Sequence, residues 1–128
     1  LHSTSRRQRQ MCIRDRNIGS GVYFNDGAVI SCLGKIDIGE NTLFGPGVKI
    51  FDNNHRFSRE EGVSRECTAG CITVGRSCWI ASDVVLLKGT DIGDNCVIGA
   101  GCVIRGKVPA GSLVTRSGEQ TTRPIETR

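Results

Sequence analysis

The chain repeats itself every six residues, and a period of six fits neither the 3.6-residue turn of an amphipathic helix nor the two-residue alternation of a half-buried strand. From Val74 it divides into VGRSCW, IASDVV, LLKGTD, IGDNCV, IGAGCV and IRGKVP, opened by Val74, Ile80, Leu86, Ile92, Ile98 and Ile104. The fifth places hold Cys78, Val84, Thr90, Cys96, Cys102 and Val108, all small or β-branched. Upstream the same frame gives IGSGVY, FNDGAV and ISCLGK from Ile18, then, after a slip of two residues, IGENTL, FGPGVK and IFDNNH from Ile38. A unit this short cannot bury an apolar face alone, so stacked copies must supply the core. The expectation is a solenoid of short strands joined by sharp turns, three hexapeptides closing one triangular coil. Openers should point inward, and fifth residues should fill the narrower space near the corners. Gly, Asn and Asp stand where the turns need positive φ. The repeat gives about four coils, at 18–35, 36–55, 74–91 and 92–109.

Composition narrows the class further. A chain of 128 residues holds one ordinary domain, and 38% apolar with 23% charged residues is the balance of a chain with a packed core. No apolar run reaches the roughly 18 residues of a membrane span, and no apolar leader opens the chain, so the expected protein is soluble and cytoplasmic. The net charge of +4 lies within the first sixteen residues, which carry five Arg and one Asp; the remainder holds twelve basic and twelve acidic side chains. That balance excludes an electrostatic footprint for nucleic acid. Seven Cys with no C-x-x-C spacing argue against a disulfide framework. Cys78, Cys96 and Cys102 occupy fifth places and read as core fillers, while Cys32 falls inside a hexapeptide.

Residues 1–16 lack the period, begin without Met and read as a fusion, assembly or cloning scar; 17–112 form the repeat domain; 113–128, the polar stretch LVTRSGEQTTRPIETR, read as a cap or tail. Within the repeat domain the period fails over 56–73, RFSREEGVSRECTAGCIT, which is too long for a corner and must be extruded as a loop. His55 immediately precedes it and is the only His of the repeat body. The plain structural reading is that His55 ends a coil in a polar corner. The functional reading is a base, because an imidazole titrating near 6.5 accepts a proton at neutral pH. A neighbouring carboxylate or carbonyl would fix its tautomer; Asp52 is near in sequence, though strand alternation can turn it away.

The stretch IGDNCVIGAGCVI resembles the hexapeptide-repeat acyltransferases, whose prism is a left-handed parallel β-helix. The left hand comes from the resemblance and is an exception to the usual right-handed crossover. Over residues 17–112 the chain is similar to the maltose, galactoside and nodulation sugar O-acetyltransferases and to related capsule and exopolysaccharide enzymes. The resemblance implies acetyl-CoA as co-substrate, a saccharide acceptor, no metal, and a homotrimer with acetyl-CoA in the groove between neighbours. It makes His55 the general base, Asn25 in YFNDGAVI an acceptor-site residue, and Trp79, Ala81 and Ser82 the lining of the acetyl-CoA site. Ala100 falls where a small residue lets the pantetheine arm run close to the coil. Arg105 and Lys107 stand where CoA phosphates are met, although Arg105-Gly106-Lys107 replaces the family's Thr-Lys-Asp before Val108-Pro109. Two rival functions stay open: a catalytically idle prism serving as a trimerisation or binding module, and N-acetylation of an amino sugar. A zinc site at Cys67, Cys71 and His55 lacks a fourth ligand.

Overall fold

The computed structural model describes residues 15–117 and 119–125, so all but Asp15 and Arg16 of the suspected scar lies outside the described residues. Short parallel strands form the three faces of a prism, an all-β left-handed parallel β-helix of about five turns. The first face stacks β1 (Asp15–Ile18), β4 (Lys35–Ile38), β9 (Cys71–Val74), β12 (Asp91–Ile92) and β15 (Lys107–Val108). The second stacks β2 (Tyr23–Phe24), β5 (Leu43–Phe44), β10 (Trp79–Ile80), β13 (Val97–Ile98) and β16 (Ser112–Ser117), on which β17 (Glu119–Pro124) folds back antiparallel. The third stacks β3 (Val29–Ser31), β6 (Lys49–Phe51), β11 (Val85–Leu86) and β14 (Val103–Ile104). Between β6 and β9 the chain leaves the prism as a two-stranded antiparallel ribbon, β7 (Asn53–Ser58) and β8 (Gly62–Ala69).

The hexapeptide openers fall into three vertical columns. Ile18, Ile38, Val74 and Ile92 are in register on the first face, Phe24, Phe44, Ile80 and Ile98 on the second, and Ile30, Ile50, Leu86 and Ile104 on the third. In the middle coils Phe44, Ile50, Ile80, Leu86, Ile92, Ile98 and Ile104 are at most 1% exposed, whereas Ile18 in the terminal coil is 43% exposed. Phe24 is shielded by stacking on the Phe44 ring, centroids 4.5 Å apart. Fourth places make the corners: Asn41, Ser77, Asp83 and Asn95 all hold φ between 56° and 59°, the left-handed conformation that short polar side chains tolerate best.

Fifth places behave as the period requires, with a chemical refinement at one corner. Thr42, Cys78, Cys96 and Ser112 stack there, and each donates to a backbone carbonyl: Thr42 to Gly75, Cys78 to Gly93, and Cys96 and Ser112 both to Pro109. A buried corner takes a small side chain only if its polar atom is satisfied, and a thiol meets both conditions. Burial pushes the Cys78 and Cys102 thiols up from the ordinary 9.0, so both stay protonated and unreactive at neutral pH.

Four boundaries differ from the sequence expectation. The slip before Ile38 is a longer strand: β4 and β9 each turn two residues inward, Ile36 with Ile38 and Ile72 with Val74, so the prism resumes at Cys71 rather than Val74. The excursion is accordingly Asn53–Ala69 instead of 56–73, and it is paired strand instead of loop. Val108 is an opener rather than a fifth-place residue, because it pairs with Ile92 and begins a partial fifth coil. Leu113 and Val114 pair with Val97 and Ile98, so the second face continues past residue 112 into what reads as a tail.

Candidate active site

Outward residues give each face its own chemistry. Asn17, Asp37, Thr73, Asp91 and Lys107 form a polar ladder up the first face. On the second face the ladder is Tyr23, Leu43, Trp79, Val97 and Leu113, of which Tyr23, Leu43 and Trp79 are 57, 49 and 55% exposed. Trp79 therefore presents its indole in the middle of an open apolar strip.

Beside that strip, at the edge between the second and third faces, Asn25, Gly45, Ala81 and Gly99 stand one above another, each backbone N–H donating to the coil above. Ser82 and Ala100 follow at the next position, where Gly101 N–H donates to the Ser82 carbonyl. Trp79, Ala81, Ser82 and Ala100 thus come together on one edge, and Asn25 lies lower on it. Small side chains leave that edge open to a long, narrow ligand. Asn25 Nδ2 donates to the Phe44 carbonyl at 3.2 Å, which fixes its amide at the corner. At the upper end stands a cation that sequence reasoning missed, Arg116, whose guanidinium lies beside Gly101 and Cys102.

His55 belongs to a different edge, between the third and first faces. The ribbon departs there from Asp52, a fully buried carboxylate that turns inward and accepts from the Leu33 and Gly34 N–H groups, both at 2.8 Å. Asn53 Nδ2 donates to the Ser31 carbonyl and hydroxyl, which ties the first strand to the coil below. His55 sits within β7, opposite Cys67, and does not end a coil. Register shifts between His55 and Phe57, so Ser64, Arg65 and Glu66 bulge opposite Arg56. The bulge re-aims a carbonyl: Ser64 O lies 2.9 Å from His55 Nδ1. A carbonyl can only accept, so Nδ1 is the donor, and in the neutral ring the lone pair is then on Nε2. Ser64 thus performs the orienting task for which Asp52 was the candidate. Cys67 Sγ stands 3.7 Å from the same nitrogen.

Asn54, His55, Arg56, Phe57 and Thr68 line an open hollow of about 440 Å³. Arg105 and Lys107 flank the corner after β14, on the same edge as His55 and away from Ala81 and Ala100. The expected site residues are therefore divided between two edges of one prism. Cys71 lies on β9, outside the ribbon, and among the described residues no group of three or more His, Cys, Asp or Glu stands together. The Ser64 carbonyl and Arg116 could not be read beforehand, since the first depends on a bulge and the second on a fifth coil that the period did not reveal. Gly62, at φ 73° after Glu60-Glu61, was the one readable sign of a tight ribbon turn.

The architecture defines a class, the hexapeptide β-helix, and comparison with known proteins places the chain within it. The model of the bacterial transferase hexapeptide (six repeats) matches residues 71–106. Galactoside O-acetyltransferase of Escherichia coli is 36% identical over 93 residues, which cover 73% of this chain and 46% of that relative. A maltose O-acetyltransferase from Clostridium difficile superposes with a TM-score of 0.75 at 25% identity, covering 87% of this chain and 60% of the other. A hexapeptide-repeat-containing acetyltransferase from Vibrio cholerae, solved in complex with acetyl coenzyme A, gives 0.76 at 25% identity over 88% and 60%. The chain carries the hexapeptide repeat of the bacterial transferases over residues 71–106 and is similar to hexapeptide-repeat acetyltransferases in sequence and fold. It spans about half the length of the curated relatives it matches.

Proposed function

We propose that this chain is the β-helix of an acetyl-CoA-dependent O-acetyltransferase that acylates a saccharide hydroxyl, with His55 as general base. The observation that carries the reading is the 2.9 Å contact of His55 Nδ1 with the Ser64 carbonyl, which leaves Nε2 as a proton acceptor beside an open hollow. A sugar hydroxyl ionises far above neutral pH and needs such a base within about 3 Å to attack a thioester. Nε2 takes the hydroxyl proton as the oxygen adds to the acetyl carbonyl. The tetrahedral intermediate then collapses with loss of the thiolate of CoA, and His55 returns the proton to that sulfur. Products are the acetyl ester and the free thiol.

Galactoside and maltose in the names of the similar proteins support a saccharide acceptor, and the acetyl coenzyme A complex of the Vibrio cholerae protein supports the donor. The donor's narrow pantetheine arm fits the edge of Ala81, Ser82 and Ala100, with Trp79 beside it and Arg116 at the upper end to meet phosphate. Because His55, Arg105 and Lys107 lie on the other edge, a single prism does not assemble the site. A homotrimer does, by setting the donor edge of one copy, with Asn25 low on it to meet the acceptor, against the His55 edge of its neighbour. The free thiols of the six described cysteines fit a reducing, cytoplasmic location.

The test is transfer from acetyl-CoA to a panel of mono- and oligosaccharides, read as acetylated product by mass so that cysteines do not interfere. Wild type is expected to form ester, and His55→Ala to lose on the order of 10²-fold or more in turnover while keeping its β circular dichroism. Equal turnover of the two proteins would refute the base assignment.

A further inference from the structure

We propose that Lys88 is a positioning residue that holds the catalytic ribbon in place from the coil above; the inference rests on His55 as the base. Lys88 occupies the corner of LLKGTD in the third coil, on the edge from which the ribbon emerges. Its aliphatic stem crosses Gly70, where a side-chain Cβ would come within 2.8 Å of Lys88 Cγ and 3.2 Å of Cε. Its Nζ donates to Thr68 Oγ1 at 2.8 Å, and that hydroxyl in turn reaches the Asn54 carbonyl at 3.5 Å. A hydrogen-bonded path therefore runs from the prism, through Thr68 of β8, to the backbone of the residue just before His55.

Two facts make this a device for geometry rather than a surface contact. Half-buried Lys88 gives its ammonium to a neutral hydroxyl and takes part in none of the ion pairs found among the described residues. The ribbon also lacks a core of its own: Phe57 and Val63, which face each other near its tip, are 81 and 74% exposed. A two-stranded ribbon without a buried face is marginal by itself. Asp52 and Asn53 tie the base of β7 to the coil below, and Lys88 ties β8 to the coil above, so the His55–Cys67 pair is clamped from both sides. A displacement of about 1 Å at a base can cost up to roughly 10²-fold in rate without touching the chemistry.

The experiment compares Lys88→Met, which keeps the stem and removes the donors, with Thr68→Val, Thr68→Ser, the Lys88→Met/Thr68→Val double variant and His55→Ala. Turnover, KM for acetyl-CoA, thermal midpoint and amide exchange at Asn54–Phe57 are measured for each. Lys88→Met and Thr68→Val are each expected to lower kcat about tenfold, with KM for acetyl-CoA unchanged within about twofold and the thermal midpoint unmoved. Amide protection at Asn54–Phe57 should fall in both. The double variant should be no worse than either single one, since both remove one path, and Thr68→Ser should restore the rate. A fully active Lys88→Met enzyme beside an inactive His55→Ala sinks the positioning role and leaves the base intact. Additive losses in the double variant, or no rescue by Thr68→Ser, also overturn it. Turnover retained by His55→Ala removes the base itself, a different failure that the exchange data separate, because the clamp still registers there.

Discussion

The coils of residues 71–104 and the ribbon of residues 53–69 use the same strand hydrogen bonds but are held by different forces. Each coil lays three openers, one per face, in shared columns, and those openers are at most 2% exposed. Stability there is a sum of repeated burials, each roughly 1.5–3 kcal/mol per aliphatic side chain. Apart from its base, the ribbon buries almost nothing, and it keeps its place through Asp52 below and Lys88 above. The same chain therefore pairs a stiff support, whose order follows from period, with a projecting ribbon whose order follows from two polar anchors.

This contrast can be broken by substitution. Ile98→Ala, in the fully covered second-face column, should cost about 2–5 kcal/mol in urea unfolding, since it empties a site that neighbours on both sides cannot close. A loss under about 1 kcal/mol would mean that the columns are not the source of stability. Asp52→Ala strands two N–H groups of the coil below and should cost about 1–3 kcal/mol, with faster amide exchange concentrated in Asn53–Ser58. Exchange that rises equally throughout the prism would contradict its role as a local anchor.

Alkali supplies a smaller probe of the support. The folded state raises the Cys78 thiol pKa, chiefly by burial and despite hydrogen bonds from Cys96 and Thr42 that act to lower it, so above the ordinary 9.0 the unfolded chain binds fewer protons than the fold. That contribution to stability is complete below 9.0 and is lost as pH climbs through the raised folded value. The thermal midpoint should fall across that range, and Cys78→Ala should flatten the fall; an unchanged slope would place the titration elsewhere. Smallest of all, Phe57→Ser at the exposed ribbon tip should change unfolding free energy by no more than about 0.5 kcal/mol.

Reading the sequence succeeded where contacts recur. Every opener from Ile18 to Ile104 stands in its column, because an inward aliphatic at one coil forces the same choice in the next. It missed where strands lengthen or shift frame. Ile36 and Ile72 were passed over since they add a second inward residue to β4 and β9, and Val108 was assigned to a corner because the turn at Gly106 is two residues short. The lapse of the period singles out His55, but the residue stands within β7 and does not end a coil. The ribbon carries no apolar alternation, so strand pairing within it left no trace in composition.

What the sequence alone determined is the prism: a period of six fixes which residues are inward, which are small and which turn, since each coil is templated by the one beneath it. Tertiary structure decided the candidate site. The turning of Asp52 into the core, the bulge that brings the Ser64 carbonyl to His55, the reach of Lys88 to Thr68 and the division of site residues between two edges each depend on contacts that occur once. A contact made once has no period to announce it, and its geometry exists only when the coils have closed.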